Sequence, residues 1–255
     1  MARIIAVVNQ KGGVGKTTTA MNLAAHLAEV GKFVLLVDMD PQGNATSGLG
    51  INIDTLEHGI YEALARQKRV HDVIHNTTHE GLRILPATSN LAGANIELVD
   101  MERREFQLSE LLEEVTHAYD YIIIDCPPSL GLLTINSLVA AHELLIPVQA
   151  EYYALEGLGQ LLKTIQLIRE HIKPNLEILG AVITMFDKRT KLSGDIMDQL
   201  YRYFPDTIFR SVIPRTIRLA EAPSFGQTIL QYDPKGKGSR AYERLAREIL
   251  EKHQT

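Results

Sequence analysis

A loop rich in glycine and lysine near the start of the chain has the residue types needed to hold phosphate groups. Residues 9–19 read Asn-Gln-Lys-Gly-Gly-Val-Gly-Lys-Thr-Thr-Thr, after a short apolar run and before a helical pattern. Such a turn aims backbone N–H groups and a helix dipole at an anion. Lys16 can reach the β- and γ-phosphate oxygens of a nucleotide, and the Thr17 hydroxyl can coordinate Mg²⁺. The spacing therefore predicts a phosphate-binding loop with a magnesium ligand.

Three aspartates follow apolar runs and could complete a magnesium-dependent site. Asp38 and Asp40 end the run at 33–37, and Asp125 ends the run at 121–124. The carboxyl ends of parallel strands face one crevice, which is where ligands bind in open α/β sheets. One carboxylate could hold Mg²⁺ through its waters, and another could orient or activate an attacking water.

The elements that must position these residues follow a regular order. Apolar, β-branched runs alternate with longer helical patterns, and the runs are nearly continuous, which is typical of strands buried on both faces of a parallel sheet. The predicted strands cover 4–8, 33–37, 82–85, 121–124, 144–148, 178–184 and 208–213, and the predicted helices 17–30, 106–118, 155–171, 194–203 and 239–253. This order predicts an α/β fold with a doubly wound, mostly parallel sheet flanked by helices, in a single domain over 1–255.

Composition excludes several classes of protein. Hydrophobic residues make up 45% and charged residues 22% of the 255 positions, which are values of an ordinary globular chain. The single cysteine, Cys126, excludes an internal disulfide framework and a Cys-pair metal site within one chain. No apolar run approaches the ~18 residues of a membrane span, and the apolar segment at the N-terminus is shorter than that of a signal peptide. We expect a cytoplasmic protein that does not enter a membrane.

Charge is distributed unevenly along the chain. Residues 1–185 carry 13 basic and 22 acidic side chains, a balance of −9, whereas residues 186–255 carry 13 and 9, a balance of +4. This asymmetry allows a local anion-binding surface on a protein whose net charge is −5.

The phosphate loop also departs from the common P-loop pattern. Gln10 stands where that pattern has its first glycine, and an extra lysine, Lys11, precedes the glycines. In these features the sequence resembles the ParA/MinD superfamily of deviant Walker A ATPases. The resemblance implies ATP and Mg²⁺ as cofactors and a homodimer in which Lys11 reaches across to the partner's phosphates. It implies an ATP site formed by Lys11, Gly12, Gly13, Val14, Gly15, Lys16, Thr17 and Thr18.

The same resemblance implies roles for the acids and for a later loop. Asp125 is then the magnesium-side acid together with Thr17, Asp38 supports the magnesium shell, and Asp40 positions the attacking water. Lys11, Lys16 and Asp40 form the catalytic set. The later loop contains Pro214 and Thr216, which would contact adenine, and relatives often have asparagine where this chain has Thr216.

Segments 43–50, 151–157 and 219–224 extend the resemblance to the chromosomal ParA (Soj) family. That likeness implies a nucleoid-associated DNA-partitioning ATPase whose slow hydrolysis is stimulated by the centromere-binding protein ParB. It also implies nonspecific binding of double-stranded DNA by the ATP-bound dimer through Arg189 and Arg218. On charge alone, the neighbouring basic residues are Lys188, Lys191, Arg215, Lys235, Lys237 and Arg240.

Three other functions share the loop. A MinD-like ATPase that is positioned at a membrane is the alternative, but it needs a strongly basic C-terminal helix with bulky apolar residues opposite. Residues 239–253 mix both charges, and we expect this helix to pack on the body of the protein. An iron-protein-type reductase needs two cysteines per subunit for its bridging cluster, and this chain has one. A metabolic ligase of the dethiobiotin-synthetase kind resembles the chain poorly beyond the loop.

Overall fold

The computed structural model describes residues 1–151, 154–187, 200, 202–204 and 207–254. Its strands are β1 (Arg3–Val7), β2 (Val34–Asp38), β3 (His75–Asn76), β4 (Leu82–Leu85), β5 (Tyr121–Asp125), β6 (Glu143–Gln149), β7 (Glu177–Phe186) and β8 (Ile208–Pro214). They form one sheet in the order β3-β4-β2-β5-β1-β6-β7-β8, with every neighbouring pair parallel except β3 and β4. The predicted doubly wound, mostly parallel sheet is confirmed.

The strands are buried on both faces, as their continuous apolar character indicates. Every residue of β2, β5 and β6 is buried. Because side chains alternate across a strand, Ile4 and Ala6 join one hydrophobic core while Ile5 and Val7 join the other. The sheet therefore separates two cores, each of which needs a layer of helices to cover it.

Helices provide both layers. They are α1 (Lys16–Glu29), α2 (Asn44–Gly48), α3 (Ile60–Leu64), α4 (Leu91–Glu97), α5 (Gln107–Glu113), α6 (Leu132–Ala140), α7 (Ala154–His171), α8 (Ile217–Glu221), α9 (Ile229–Tyr232) and α10 (Lys237–Lys252). Helices α3, α5, α6 and α7 bury leucines in one core, and α1 and α10 bury theirs in the other. Short 3₁₀ segments lie at Ile53–Thr55, Val70–Asp72, Leu98–Asp100, Thr116–Ala118 and Ala222–Phe225.

The C-terminal helix packs on the body of the protein, as predicted. Tyr242, Leu245 and Ile249 on its apolar face are buried in the same core as α1. The Tyr242 and Thr19 hydroxyls lie 3.2 Å apart, and His26 of α1 lies 3.1 Å from the Ser239 hydroxyl. The apolar side of α10 is therefore covered. No helix in the described part of the chain is both long enough and apolar enough to cross a membrane.

Some short elements differ from the predicted ones. The helix predicted at 106–118 ends at Glu113 and is followed by a separate 3₁₀ turn at Thr116–Ala118. Helices α2, α3, α4, α6, α8 and α9 and the edge strand β3 were not predicted, because most are too short to show a period. The helix predicted at 194–203 lies largely outside the described residues.

Candidate functional site

The phosphate-binding loop leaves β1 and is held by contacts with strands on its far side. Asn9 donates its side-chain amide to the Pro147 carbonyl of β6 at 2.7 Å, and its own Oδ1 accepts from Lys11 N at 3.0 Å. Thr184 of β7 donates its hydroxyl to the Val14 carbonyl at 2.7 Å. Two strands distant in sequence thus fix both halves of the loop.

The glycines of the loop serve two different purposes. Gly13 and Gly15 have φ values of +74° and +87°, a region that other residues enter only at a cost. Gly15 caps α1, because its carbonyl accepts from Thr19 N at 2.9 Å. Gly12 has no such φ, and a Cβ added there would meet nothing within 4 Å. The fold therefore does not require glycine at position 12. A ligand that approaches the backbone closely at this position would require it.

The two lysines of the loop have different environments. Lys16 is the first residue of α1 and is 6% exposed. Burial lowers the pKa of Lys16, and the nearby Asp125, Cys126 and Asp40 oppose that shift. Its Nζ donates to the Lys11 carbonyl at 3.2 Å, which leaves a buried cation with unused donors for an anion. Lys11 Nζ lies at the rim, 3.4 Å from Glu151 Oε2.

The predicted acids meet at one edge of the sheet. Asp38 of β2 is paired in register with Asp125 of β5, and Asp125 is paired with Val7 of β1, directly before the phosphate loop. Asp40, also largely buried, accepts from Gln42 N at 3.0 Å. The sequence prediction that the three carboxylates share a crevice with the loop agrees with this placement.

Asp125 is a buried carboxylate with an incomplete set of contacts. Both of its oxygens are buried, and neither has a hydrogen-bond partner of ordinary geometry among the described residues. Burial and the neighbouring Asp38 raise the pKa of Asp125 well above its usual value, while the Thr17 hydroxyl and Lys16 act in the opposite direction. A cation beside Asp125 would remove the cost of its charge.

Thr17 and Asp125 fit a magnesium ion whose coordination shell consists mostly of water and phosphate oxygens. In the described part of the chain, no three His, Cys, Asp or Glu side chains converge on one point as a metal site. Mg²⁺ commonly takes one or two protein ligands and completes its octahedron with phosphate oxygens and water. Thr17 and Asp125 can provide that share.

Asp38 has contacts that the sequence did not indicate. Its Oδ2 accepts from the Thr46 backbone N at 2.8 Å and from the Thr46 hydroxyl at 2.7 Å, and its Oδ1 accepts from Asp40 N at 3.2 Å. Burial raises the pKa of Asp38 to about 6 despite these hydrogen bonds. The carboxylate shapes the loop that leads to α2, and its predicted role in the magnesium shell stays a prediction.

A cavity of about 400 Å³ opens beside the loop, and it is lined by Pro214 and Thr216, the two residues predicted to contact adenine. Gly15 and Thr18 of the loop line the same cavity, so a base held there would be joined to the phosphates. Thr216 also caps α8 by accepting from Leu219 N at 3.2 Å. The other residues that line it are Thr184, Met185, Ile213, Arg215, Ile217, Leu219, Ala220 and Tyr242. Tyr242 was missed because it lies on the apolar stripe of α10.

The predicted DNA contacts are only partly described. Arg218 lies on α8, next to this cavity, and its side chain is 61% exposed. Arg189, Lys188 and Lys191 lie outside the described residues. Cys126 is buried, and burial raises the pKa of its thiol to about 12, so it acts as a small packing residue.

Comparisons with known proteins cover nearly the whole chain. The family described as "AAA domain" matches residues 2–178. The sporulation initiation inhibitor protein Soj of Bacillus subtilis (strain 168) is 55% identical over 249 residues, which are 98% of this chain and 98% of Soj. The chromosome partitioning protein ParA of Myxococcus xanthus (strain DK1622) is 50% identical over 252 residues, which are 99% of this chain and 89% of that protein.

The fold is also similar to that of a solved nucleotide complex. The crystal structure of cobyrinic acid a,c-diamide synthase from Mycobacterium smegmatis, with bound ATP analogue and magnesium, matches with a TM-score of 0.89. The sequences are 38% identical, and the match covers 100% of this chain and 97% of the other.

Proposed function

The chain belongs to the ParA/MinD superfamily of deviant Walker A ATPases, among the chromosomal ParA (Soj) proteins, and on that premise we propose that it is an ATP-dependent DNA-partitioning switch. It is a partitioning ATPase whose cofactors are ATP and Mg²⁺. The observation that carries the proposal is a buried cation in the phosphate loop, Lys16, near a buried carboxylate, Asp125, whose oxygens have no hydrogen-bond partner among the described residues.

The chain's own residues account for nucleotide binding. Residues 11–18 hold the phosphates with their N–H groups, and Lys16 adds a charge that water does not screen. Thr17 and Asp125 hold Mg²⁺, which withdraws charge from the phosphate oxygens when bound. Asp40 orients the attacking water, and Pro214 and Thr216 lie against the base.

Dimerisation is the second part of the switch. The Lys11 side chain ends at the rim of the loop, where its Nζ is paired with Glu151 in the single chain. Both side chains are partly exposed, so this ion pair contributes little and can exchange for a stronger one. We infer that Lys11 leaves Glu151 and contacts the phosphates held by the second subunit, which makes the dimer dependent on ATP.

DNA binding and release complete the cycle. The ATP dimer binds double-stranded DNA without sequence preference through Arg189, Arg218 and their basic neighbours, because contacts to phosphates read no bases. A ParB-type partner then stimulates slow hydrolysis, and the protein leaves the nucleoid as a monomer. The +4 balance of residues 186–255 supports this assignment.

A MinD-like membrane function is the alternative, and the packing of α10 argues against it. A helix that lies on a membrane presents its apolar face to lipid, whereas Tyr242, Leu245 and Ile249 are buried in the protein core. A metabolic function has weaker support, because the diamide synthase is 38% identical and the two partitioning proteins are 55% and 50% identical.

One pair of sedimentation assays tests the proposal. The protein is mixed with DNA or with anionic liposomes in the presence of ATP, ADP or no nucleotide, and each series is repeated in rising salt. We expect sedimentation with DNA only in ATP, with affinity that falls steeply as salt rises. Binding to liposomes without binding to DNA would favour the membrane alternative and refute the proposal.

A further inference from the structure

Arg218 is part of a three-residue cluster on the surface of the protein. Its Nη1 donates to Glu221 Oε2 at 3.4 Å and to the Tyr232 hydroxyl oxygen at 3.3 Å. The Tyr232 hydroxyl in turn donates to the same Glu221 oxygen at 3.1 Å. Each member of the cluster therefore contacts both of the others.

Aromatic stacking holds the guanidinium as well. Its central carbon lies 5.6 Å from the centre of the Tyr232 ring, and Phe225 stacks on that ring with centroids 5.3 Å apart and planes 24° apart. A cation over an aromatic ring is attracted by the ring's electron density. Arg218 thus has a defined resting position although its side chain is 61% exposed.

The support for this position reaches the nucleotide site. Tyr232 is the last residue of α9, and the first, Ile229, donates its backbone N–H to Asn22 of α1 at 2.7 Å. Helix α1 begins at Lys16, directly after the phosphate loop. The residue under Arg218 is therefore attached to the helix that starts in the ATP site.

The guanidinium keeps donors for a ligand. Only Nη1 is engaged in the contacts of the described residues, so Nε and Nη2 can form the two parallel hydrogen bonds that guanidinium makes with phosphate. Glu221 is partly exposed, and an exposed ion pair is weak enough for phosphate to replace it.

We propose that Tyr232 is a positioning residue that holds Arg218 ready to contact a DNA phosphate; this rests on the proposed DNA-binding function. Arginine has many rotamers, and fixing it on binding reduces affinity. A side chain that already has its bound position avoids most of that loss. Removing the support should therefore weaken DNA binding by about twofold to tenfold without removing the phosphate contact.

The test compares the DNA affinity of Tyr232→Phe, Tyr232→Ala and Arg218→Ala with that of the unmodified protein. Affinity is measured from the fluorescence anisotropy of a labelled DNA duplex in saturating ATP, at a series of KCl concentrations. Tyr232→Phe removes only the hydroxyl and should weaken binding less than Tyr232→Ala. Both Tyr232 variants should leave the slope of log affinity against log salt unchanged. Arg218→Ala should make that negative slope shallower by about 0.9 for each phosphate that the arginine no longer neutralises. Tyr61→Phe is the matched control, because the Tyr61 hydroxyl also donates to a glutamate, Glu97, at 2.7 Å, and neither residue belongs to the Arg218 cluster.

A double variant separates positioning from a direct or purely structural effect. In the Arg218→Ala background, Tyr232→Ala should have no further effect, since its only role is to hold the arginine. Equal weakening in both backgrounds, or wild-type affinity for Tyr232→Ala while Arg218→Ala binds weakly, would overturn the inference and leave the proposed function standing. If Arg218→Ala itself binds DNA normally, the DNA role of Arg218 is wrong and the inference is overturned with it.

Discussion

Asp125 is a residue whose burial is expected to reduce the stability of the folded protein. A carboxylate with both oxygens buried and unpartnered among the described residues favours its protonated form, which is why its pKa is raised. In the folded state its charge is a cost that a magnesium ion and its waters would relieve. Strain and unpaired charge are expected to concentrate at such sites rather than in the packed core.

The first prediction concerns this carboxylate. Without nucleotide or magnesium, Asp125→Asn should raise the free energy of unfolding by ~1–3 kcal/mol at pH 8, because it removes the buried charge. Below about pH 4 both the folded and unfolded aspartates are protonated and the gain disappears; it grows as pH rises toward the folded-state pKa. Urea unfolding at several pH values measures it, with the exposed Asp54→Asn as control. A gain that is the same at pH 4 and pH 8 would contradict this explanation.

Gly12 allows binding to be separated from folding. Because a Cβ at this position meets nothing within 4 Å and its φ is ordinary, Gly12→Ala should change the free energy of unfolding by no more than about 1 kcal/mol. The affinity for a fluorescent ATP analogue should fall by roughly tenfold or more, because the added methyl obstructs the approach of phosphate. Gly93→Ala, an equally open position in α4, should keep normal affinity. Normal ATP affinity of Gly12→Ala would mean that phosphate does not approach this residue.

At the scale of the elements, the segment from Asp38 to Gly50 packs against Gly226, which follows Arg218 in the chain. Asp38 holds Thr46 of α2 through two hydrogen bonds. Just beyond α2, Gly50 meets Gly226, and a Cβ on Gly226 would lie 2.6 Å from the Gly50 Cα. Both glycines also have positive φ. The two backbone segments approach so closely here that no side chain fits between them. The acidic end of β2 is therefore connected, through α2 and Gly50, to the glycine that follows the 3₁₀ turn at Ala222–Phe225.

This contact gives a stability prediction with a matched control. Gly31 has a φ of +83° and open space, so Gly31→Ala should cost only the ~1–2 kcal/mol of left-handed strain. Gly226→Ala, at +64°, bears a similar strain and also a clash with backbone. It should therefore cost ~1–3 kcal/mol more. Thermal or urea unfolding distinguishes the two, and equal losses would show that the Gly50–Gly226 approach is easily relaxed.

The whole molecule, in the proposed function, is a switch between a monomer and an ATP-bound dimer. Asp40→Ala should remain dimeric in saturating ATP, because it removes the water-positioning carboxylate and leaves the phosphate contacts in place. Light scattering measures the mass, and Lys16→Ala, which lacks the cation that pairs with the phosphates, should stay monomeric under the same conditions. If Asp40→Ala were monomeric in ATP, the sandwich-dimer mechanism would have to be abandoned.

Local sequence patterns were enough to predict the phosphate loop, the positions of the three acids and the class of the sheet. Each depends on neighbours a few positions away: glycines before a helix, or an aspartate at the end of an apolar run. Short elements such as α2 were not predictable in this way, because Asn44–Gly48 is positioned by the Asp38–Thr46 contacts and not by its own period.

The distant residues that support the site could not be identified before the folded arrangement was known. Thr184 contacts Val14 across 170 positions, and Asn9 contacts Pro147 across 138. Tyr242 lines the cavity beside the phosphate loop, although its position on the apolar stripe of α10 predicts only packing. Such contacts depend on strand order and helix placement, which result from burying two cores at once. Hydrophobic periodicity reports which face of an element is buried, and it does not report which other element covers that face.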